Sequence, residues 1–107
     1  MRLGFHPEAV EELRAAAFWY DERRAGLGDE FVDEVNTLGL RIVTSPGAYA
    51  QWPGLSGSNS TIRRALVDRF PYVIAFEVRE QDVFVLAVAH AKRRPLYWVR
   101  RAGQVPA

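Results

Sequence analysis

YVIAFEVREQDVFVLAVAHA, residues 72–91, holds two strand patterns separated by a turn. In its first part Tyr72, Ile74, Phe76 and Val78 alternate with smaller or polar neighbours. That is the period-two signature of a strand with one large apolar face. Val83–Ala89 is apolar at every position, so both of its faces are apolar, as a central strand covered from two sides requires. Arg79–Asp82 is polar and short enough for a hairpin loop. The stretch therefore predicts an antiparallel pair over Tyr72–Arg79 and Asp82–Ala91.

Working outward, Thr61–Asp68 reads as a further strand. Ahead of it, Pro46–Ser60 is rich in Pro, Gly, Ser and Asn, with Tyr49 and Trp52 as large anchors. This is the composition of an irregular loop, expected to be mobile around Gly57-Ser58-Asn59-Ser60. The N-terminal half changes to a helical period. Pro7 suits a first helical position, because its missing N–H would have been unpaired there. Glu8, Glu11 and Glu12 suit the positive end of the helix dipole. Val10, Leu13, Ala17 and Tyr20 recur at helical spacing, giving a helix over about 7–24. Gly26-Leu27-Gly28 permits a tight reversal. Phe31, Val35, Leu38 and Ile42 then form the stripe of a second helix, stopped by Ser45-Pro46-Gly47. So short a connection makes an antiparallel helical hairpin. With Met1–Phe5 as a first strand, the order is β-α-α-β-β-β. That is an α+β domain, one helical hairpin packed on a mainly antiparallel four-stranded sheet, expected as a single domain over residues 1–107.

With 49% hydrophobic and 25% charged residues, the chain is ordinary for a folded domain. It has no cysteine, which excludes disulfides and thiolate metal sites. Two histidines and scattered carboxylates at no ligand spacing predict no metal and no cofactor. The opening MRLGFHPEAVEELR turns acidic at once and lacks a signal-type apolar segment, and no run approaches a membrane span. A cytoplasmic protein with no membrane partner is expected. Nothing resembles a phosphate-binding glycine loop, a nucleophile elbow or a paired-carboxylate site.

Charge is divided unequally. Residues 1–62 carry five arginines against nine acids, and residues 63–107 carry nine basic residues against four acids, so +5 lies in the second part. The C-terminal part is thus suited to an anionic partner, although a solvated basic face gives the same count. Its concentrated stretch is His90-Ala91-Lys92-Arg93-Arg94-Pro95-Leu96-Tyr97-Trp98, followed by Arg100 and Arg101. It starts where the most apolar strand ends, so its cations emerge together at one sheet edge. Cations interleaved with aromatic rings suit a phosphate-bearing ligand. The same residues would also read as a solvated tail whose Tyr97 and Trp98 cover the sheet.

His6, before Pro7, reads as a substitute helix N-cap. Trp19 and Tyr20 read as core or hairpin packing. Arg63 and Arg64 are adjacent on a strand and must point to opposite faces. Only one can join the C-terminal cluster, and the other is expected to pair with an acid from the helices.

Pro7-Glu8-Ala9, Gly28-Asp29-Glu30-Phe31, Ile62-Arg63-Arg64, Arg69-Phe70-Pro71-Tyr72 and Ala89-His90-Ala91-Lys92-Arg93-Arg94-Pro95 with Tyr97-Trp98 occur here in one order. In this order they resemble the RelE/ParE toxin superfamily, closest to its ParE-like, plasmid-stabilisation branch. The resemblance spans nearly the whole chain. It implies a bacterial type II toxin that inhibits growth and is neutralised by a cognate antitoxin, in a heterotetramer or larger toxin–antitoxin assembly. It implies one of two targets, DNA gyrase or mRNA on the ribosome.

For RNA cleavage the resemblance makes His90, Lys92, Arg93 and Tyr97 the catalytic candidates. Arg63, Arg64, Arg69, Arg94, Trp98 and Arg100 become candidates for target or antitoxin binding. RNA-cleaving relatives place an arginine at the start of the third strand, where this chain has Pro71-Tyr72-Val73. That departure favours the gyrase-binding reading. A ribosome-dependent endoribonuclease is the alternative, and a non-toxic orphan binding module is the second alternative. All three readings require Lys92, Arg93, Tyr97 and their neighbours to form one exposed patch beside the paired helices.

Overall fold

The computed structural model describes residues 2–53, 55 and 62–103. Strand β1 (Leu3–Phe5) leads into helices α1 (Pro7–Arg23) and α2 (Leu27–Thr44). Strands β2 (Ile62–Leu66), β3 (Tyr72–Arg79) and β4 (Asp82–His90) follow. Three-residue 3-10 turns lie at Pro46–Ala48 and Val99–Arg101. The expected α+β order is the observed one. The loop expected to be mobile, Gly57–Ser60, and Thr61 lie outside the described residues.

The sheet has the order β1-β4-β3-β2. β1 runs parallel to β4, and the other neighbours are antiparallel. The all-apolar strand β4 is therefore central, as its composition demands. Its alternation breaks once. Ala75 faces Ala87 but Phe76 faces Val85, so Leu86 is an extra residue, a β-bulge. Beyond the bulge, Leu86 and Ala87 both join the core opposite the helices, while Val85 and Val88 face the helices.

The His6 imidazole caps α1, with Nδ1 accepting from the Glu8 N–H at 3.1 Å. The inward stripe of α1 is Ala9, Leu13, Ala16, Ala17 and Tyr20, one position off the expected start at Val10. Gly26, at φ 88°, makes the reversal between the helices. At Gly28 a Cβ would lie 2.3 Å from the Ala17 carbonyl oxygen, so only glycine lets the helices approach this closely. On α2, Phe31, Val35, Leu38 and Ile42 are buried as their spacing requires.

Two cores result. The larger lies between the helices and the sheet, where Phe31 meets Phe70 and Tyr72 edge-on and Tyr20 packs on Phe31 at a tilt and on Phe70 edge-on. The smaller lies on the opposite face and comprises Ile62, Ala75, Phe84, Leu86, Ala87 and Trp98. Tyr49 packs into the first core and Trp52 against the second, so the irregular loop holds both faces of the sheet. No helix among the described residues is long and apolar enough to cross a membrane.

Candidate functional site

β1 pairs with only Val83–Val85, so the rest of β4 has no strand on that side. Its exposed backbone groups need other partners. The side chain of Glu12 on α1 accepts from the Val88 N–H at 3.0 Å. The guanidinium of Arg101 donates to the Leu86 carbonyl at 2.9 Å. Glu12 and Arg101 also bind each other at 3.0 and 3.1 Å, with side chains only 13% and 4% exposed. An ion pair thus replaces a strand neighbour along half of β4.

Tyr97 belongs to the same cluster. Its hydroxyl donates to Glu12 at 2.6 Å. Burial pushes its pKa up, and the hydrogen bond to Glu12 adds to the rise. The phenol is therefore fixed as a donor and resists becoming a base. The Arg93 guanidinium lies 3.8 Å from the Tyr97 ring centroid and 3.8 Å from the Glu12 carboxylate. His90 Nδ1 accepts from the Lys92 N–H at 3.1 Å, while its ring meets that of Tyr72 edge-on. Of the four catalytic candidates, His90, Lys92 and Arg93 emerge together at the end of β4, and Tyr97 sits beside Arg93 with its hydroxyl turned to α1.

The six binding candidates are placed unequally. Trp98 is 1% exposed and packs edge-on against Trp52 at 4.8 Å, so it is a core residue and offers no surface to a partner. The sequence could not distinguish these roles, since an aromatic in a basic run serves either. Arg63 turns to the helix face and donates to the Tyr49 carbonyl at 2.6 Å, not to a helical acid as expected. Arg64 takes the other face and lines a pocket with the C-terminal segment. Arg69, at φ 71°, is held on α2 by Glu30 at 2.6 Å. Arg100 is held on α1 by Glu8 at 2.8 Å. Arg94 is exposed and lines the pocket that Arg64 lines.

Two concavities flank the end of β4. On the helix side, a groove of about 720 Å³ runs between Ala15, Ala16, Trp19 and Tyr20 of α1 and Pro71, Tyr72, Val88 and His90. Glu12 and Arg93 complete its lining. Trp19, expected among the packing residues, is 50% exposed and lies under the Arg23 guanidinium at 3.6 Å. On the opposite face, a pocket of about 300 Å³ has Val73, Ala89, Trp52 and Leu96 among its lining, with Arg64 and Arg94. His90 and Arg93 line both. Exposed Lys92 and Arg93 therefore stand at the end of β4, where Arg93 and His90 border a groove against α1, while Tyr97 is half-buried and turned to Glu12. Among the described residues, no group of His, Asp and Glu is placed to hold a metal ion.

Comparison with known proteins agrees with this fold. The family described as the ParE toxin of the type II toxin–antitoxin system parDE matches residues 3–95. The chain belongs to the ParE toxin family. In solved structures, it is similar to a chain of the chromosomal ParDE toxin–antitoxin system from P. aeruginosa, with a TM-score of 0.72 and 16% sequence identity. That similarity covers 86% of this chain and 97% of the other, and at such identity it speaks for the fold. No curated protein matches the sequence. The family match runs from β1 to Pro95 and leaves outside it Tyr97, Arg100 and Arg101, the residues that fasten the C-terminal segment to α1. Sequence reasoning missed Glu12 and Arg101 as a unit. The available signal was an acid on the sheet-facing side of α1 with too few strand residues in β1 to cover β4.

Proposed function

We propose that this ParE-family toxin stops growth by binding a protein target, DNA gyrase, without a catalytic site of its own, and that a cognate antitoxin neutralises it in the helix-side groove. The observation that carries this reading is the commitment of Tyr97 to Glu12. Cleavage of RNA by general acid–base chemistry needs a group that removes the 2′-hydroxyl proton beside a cation at the phosphate. A half-buried phenol donating to a carboxylate is a poor candidate for that role, and the arginine position at the start of β3 holds Pro71-Tyr72 instead. The groove supports the antitoxin part. Its mixture of small residues on α1 and the exposed Trp19 suits an amphipathic segment whose apolar side chains enter between helix and sheet.

The test adds the purified toxin to gyrase-dependent supercoiling and, separately, to translating ribosomes with a defined mRNA. Inhibited supercoiling and intact mRNA are expected, and addition of the antitoxin should restore supercoiling. Codon-positioned cleavage of the mRNA, with supercoiling unaffected, would replace this reading by the endoribonuclease.

A further inference from the structure

Every arginine of the chain but two has a carboxylate or carbonyl partner for its side chain among the described residues. The exceptions are Arg64 and Arg94, and the single lysine, Lys92, is likewise without one. Arg64 comes from β2 and Arg94 from the segment after β4, far apart in sequence, yet both line one pocket. Arg64 and Arg94 line the pocket opposite the helices, and Lys92 stands between Ala91 and Arg93, which also line it. No aspartate or glutamate contributes to that lining. Elsewhere among the described residues, arginine side chains meet an acid or, at Arg63, a carbonyl of the fold. Here the fold supplies none.

We infer that this rear pocket docks an acidic, apolar-anchored peptide segment of the toxin's protein target. Val73 and Ala89, a directly paired couple on β3 and β4, provide an apolar floor. Trp52 and Leu96 provide apolar walls, and about 300 Å³ is room for one large aliphatic or aromatic side chain. Trp52 is held edge-on by the buried Trp98, so the wall is rigid. Arg64 and Arg94 then meet the acids that flank the anchor. Charge complementarity of this kind sets partner choice and encounter rate more than raw affinity. A single-stranded nucleic acid would need open ring faces on which bases stack. The nearby Tyr97 ring is already covered by Arg93 at 3.8 Å, which favours the peptide. The pocket lies on the sheet face opposite α1 and α2, so antitoxin and target would engage different faces.

This inference rests on the reading of the protein as a target-binding toxin, and the experiment separates the two. The full chain is titrated with a short labelled peptide of alternating glutamate and leucine, with a lysine–leucine peptide and with a single-stranded oligonucleotide of matched charge. Only the glutamate–leucine peptide should bind, more weakly as salt rises. The double reversal Arg64→Glu with Arg94→Glu should lower that affinity at least tenfold, while Arg64→Lys keeps it. Both positions are exposed, so the reversal should leave the melting temperature and antitoxin binding unchanged. Unchanged peptide affinity in the double reversal, or capture of the oligonucleotide in place of the peptide, overturns the inference. Peptide bound in the pocket by a toxin that leaves supercoiling untouched supports the pocket and removes gyrase as the target. Supercoiling inhibition that survives the double reversal keeps gyrase and removes the pocket.

Discussion

Arg94 and Arg101 belong to the same basic run, yet the structure uses them in opposite ways. Arg101 is 3% exposed and spans Glu12 and the Leu86 carbonyl, completing the edge of β4. Arg94 is exposed at a pocket whose lining contains no acid. The difference between them is set on α1, where Glu8 and Glu12 bind Arg100 and Arg101 but neither pairs with Arg94. One part of the run therefore belongs to the fold, and the other stays exposed. Counting cations could not separate the two, because the deciding residue, Glu12, is 89 positions from Arg101 in sequence.

The sharpest way to break this contrast is to remove Glu12. Glu12→Ala strands a buried guanidinium and the Val88 N–H, and should cost about 3–5 kcal/mol of unfolding free energy. Arg94→Ala should stay within about 0.5 kcal/mol of the parent. Urea unfolding of the two variants reads both values, and equal costs would contradict the division.

A second pair of aromatic residues carries the same contrast. Trp98→Ala opens the smaller core and should cost about 3–5 kcal/mol. Trp19→Ala lies on the groove and should barely move the urea midpoint, while weakening antitoxin binding about tenfold or more by calorimetry.

Tyr97→Phe removes a hydrogen bond to a charged acceptor and should cost about 1.5–3 kcal/mol near neutral pH. The sign with pH follows from the raised phenol pKa. Because the folded value lies above the ordinary 10.0, the contribution is complete below pH 10 and is lost as pH rises toward the folded value. The variant should therefore show a flatter alkaline fall in melting temperature than the parent.

The smallest effect belongs to Arg69. Its hydrogen bond holds the Glu30 carboxyl below the ordinary 4.5, with Arg24 adding to the effect, so this stabilisation is present above that pH and fades as pH falls through the folded value. Arg69→Gln should lower the melting temperature slightly at neutral pH, and the difference from the parent should shrink in acid.

Much of the fold was legible because its signals are periodic and local. Tyr72–Arg79 alternates cleanly and forms its strand with the expected bounds. The two glycines at the helix reversal act at positions where a side chain would collide or strain. The bulge at Leu86 was hidden for a physical reason. Where both faces of a strand are apolar, alternation has no phase, and an extra residue leaves no trace in the pattern. Trp19 was hidden by crowding. Phe18, Trp19 and Tyr20 are consecutive on a helix, so they cannot share one face, and hydrophobicity does not say which turns inward. Tyr20 does, against Phe31, Phe70 and Tyr72. The site was partly legible. His90 and Arg93 to Arg94 were placed correctly at the strand end, whereas the burial of Trp98 and the capture of Arg69 and Arg100 depended on acids and rings distant in sequence.

The most direct measurement is growth after induced expression without antitoxin, comparing Tyr97→Phe with the Arg64→Glu, Arg94→Glu double variant at equal protein level. The parent and Tyr97→Phe should both arrest growth, and the double variant should not. Growth restored by Tyr97→Phe, with arrest retained by the double reversal, would show that the Tyr97 hydroxyl acts on the target and that the rear cations do not.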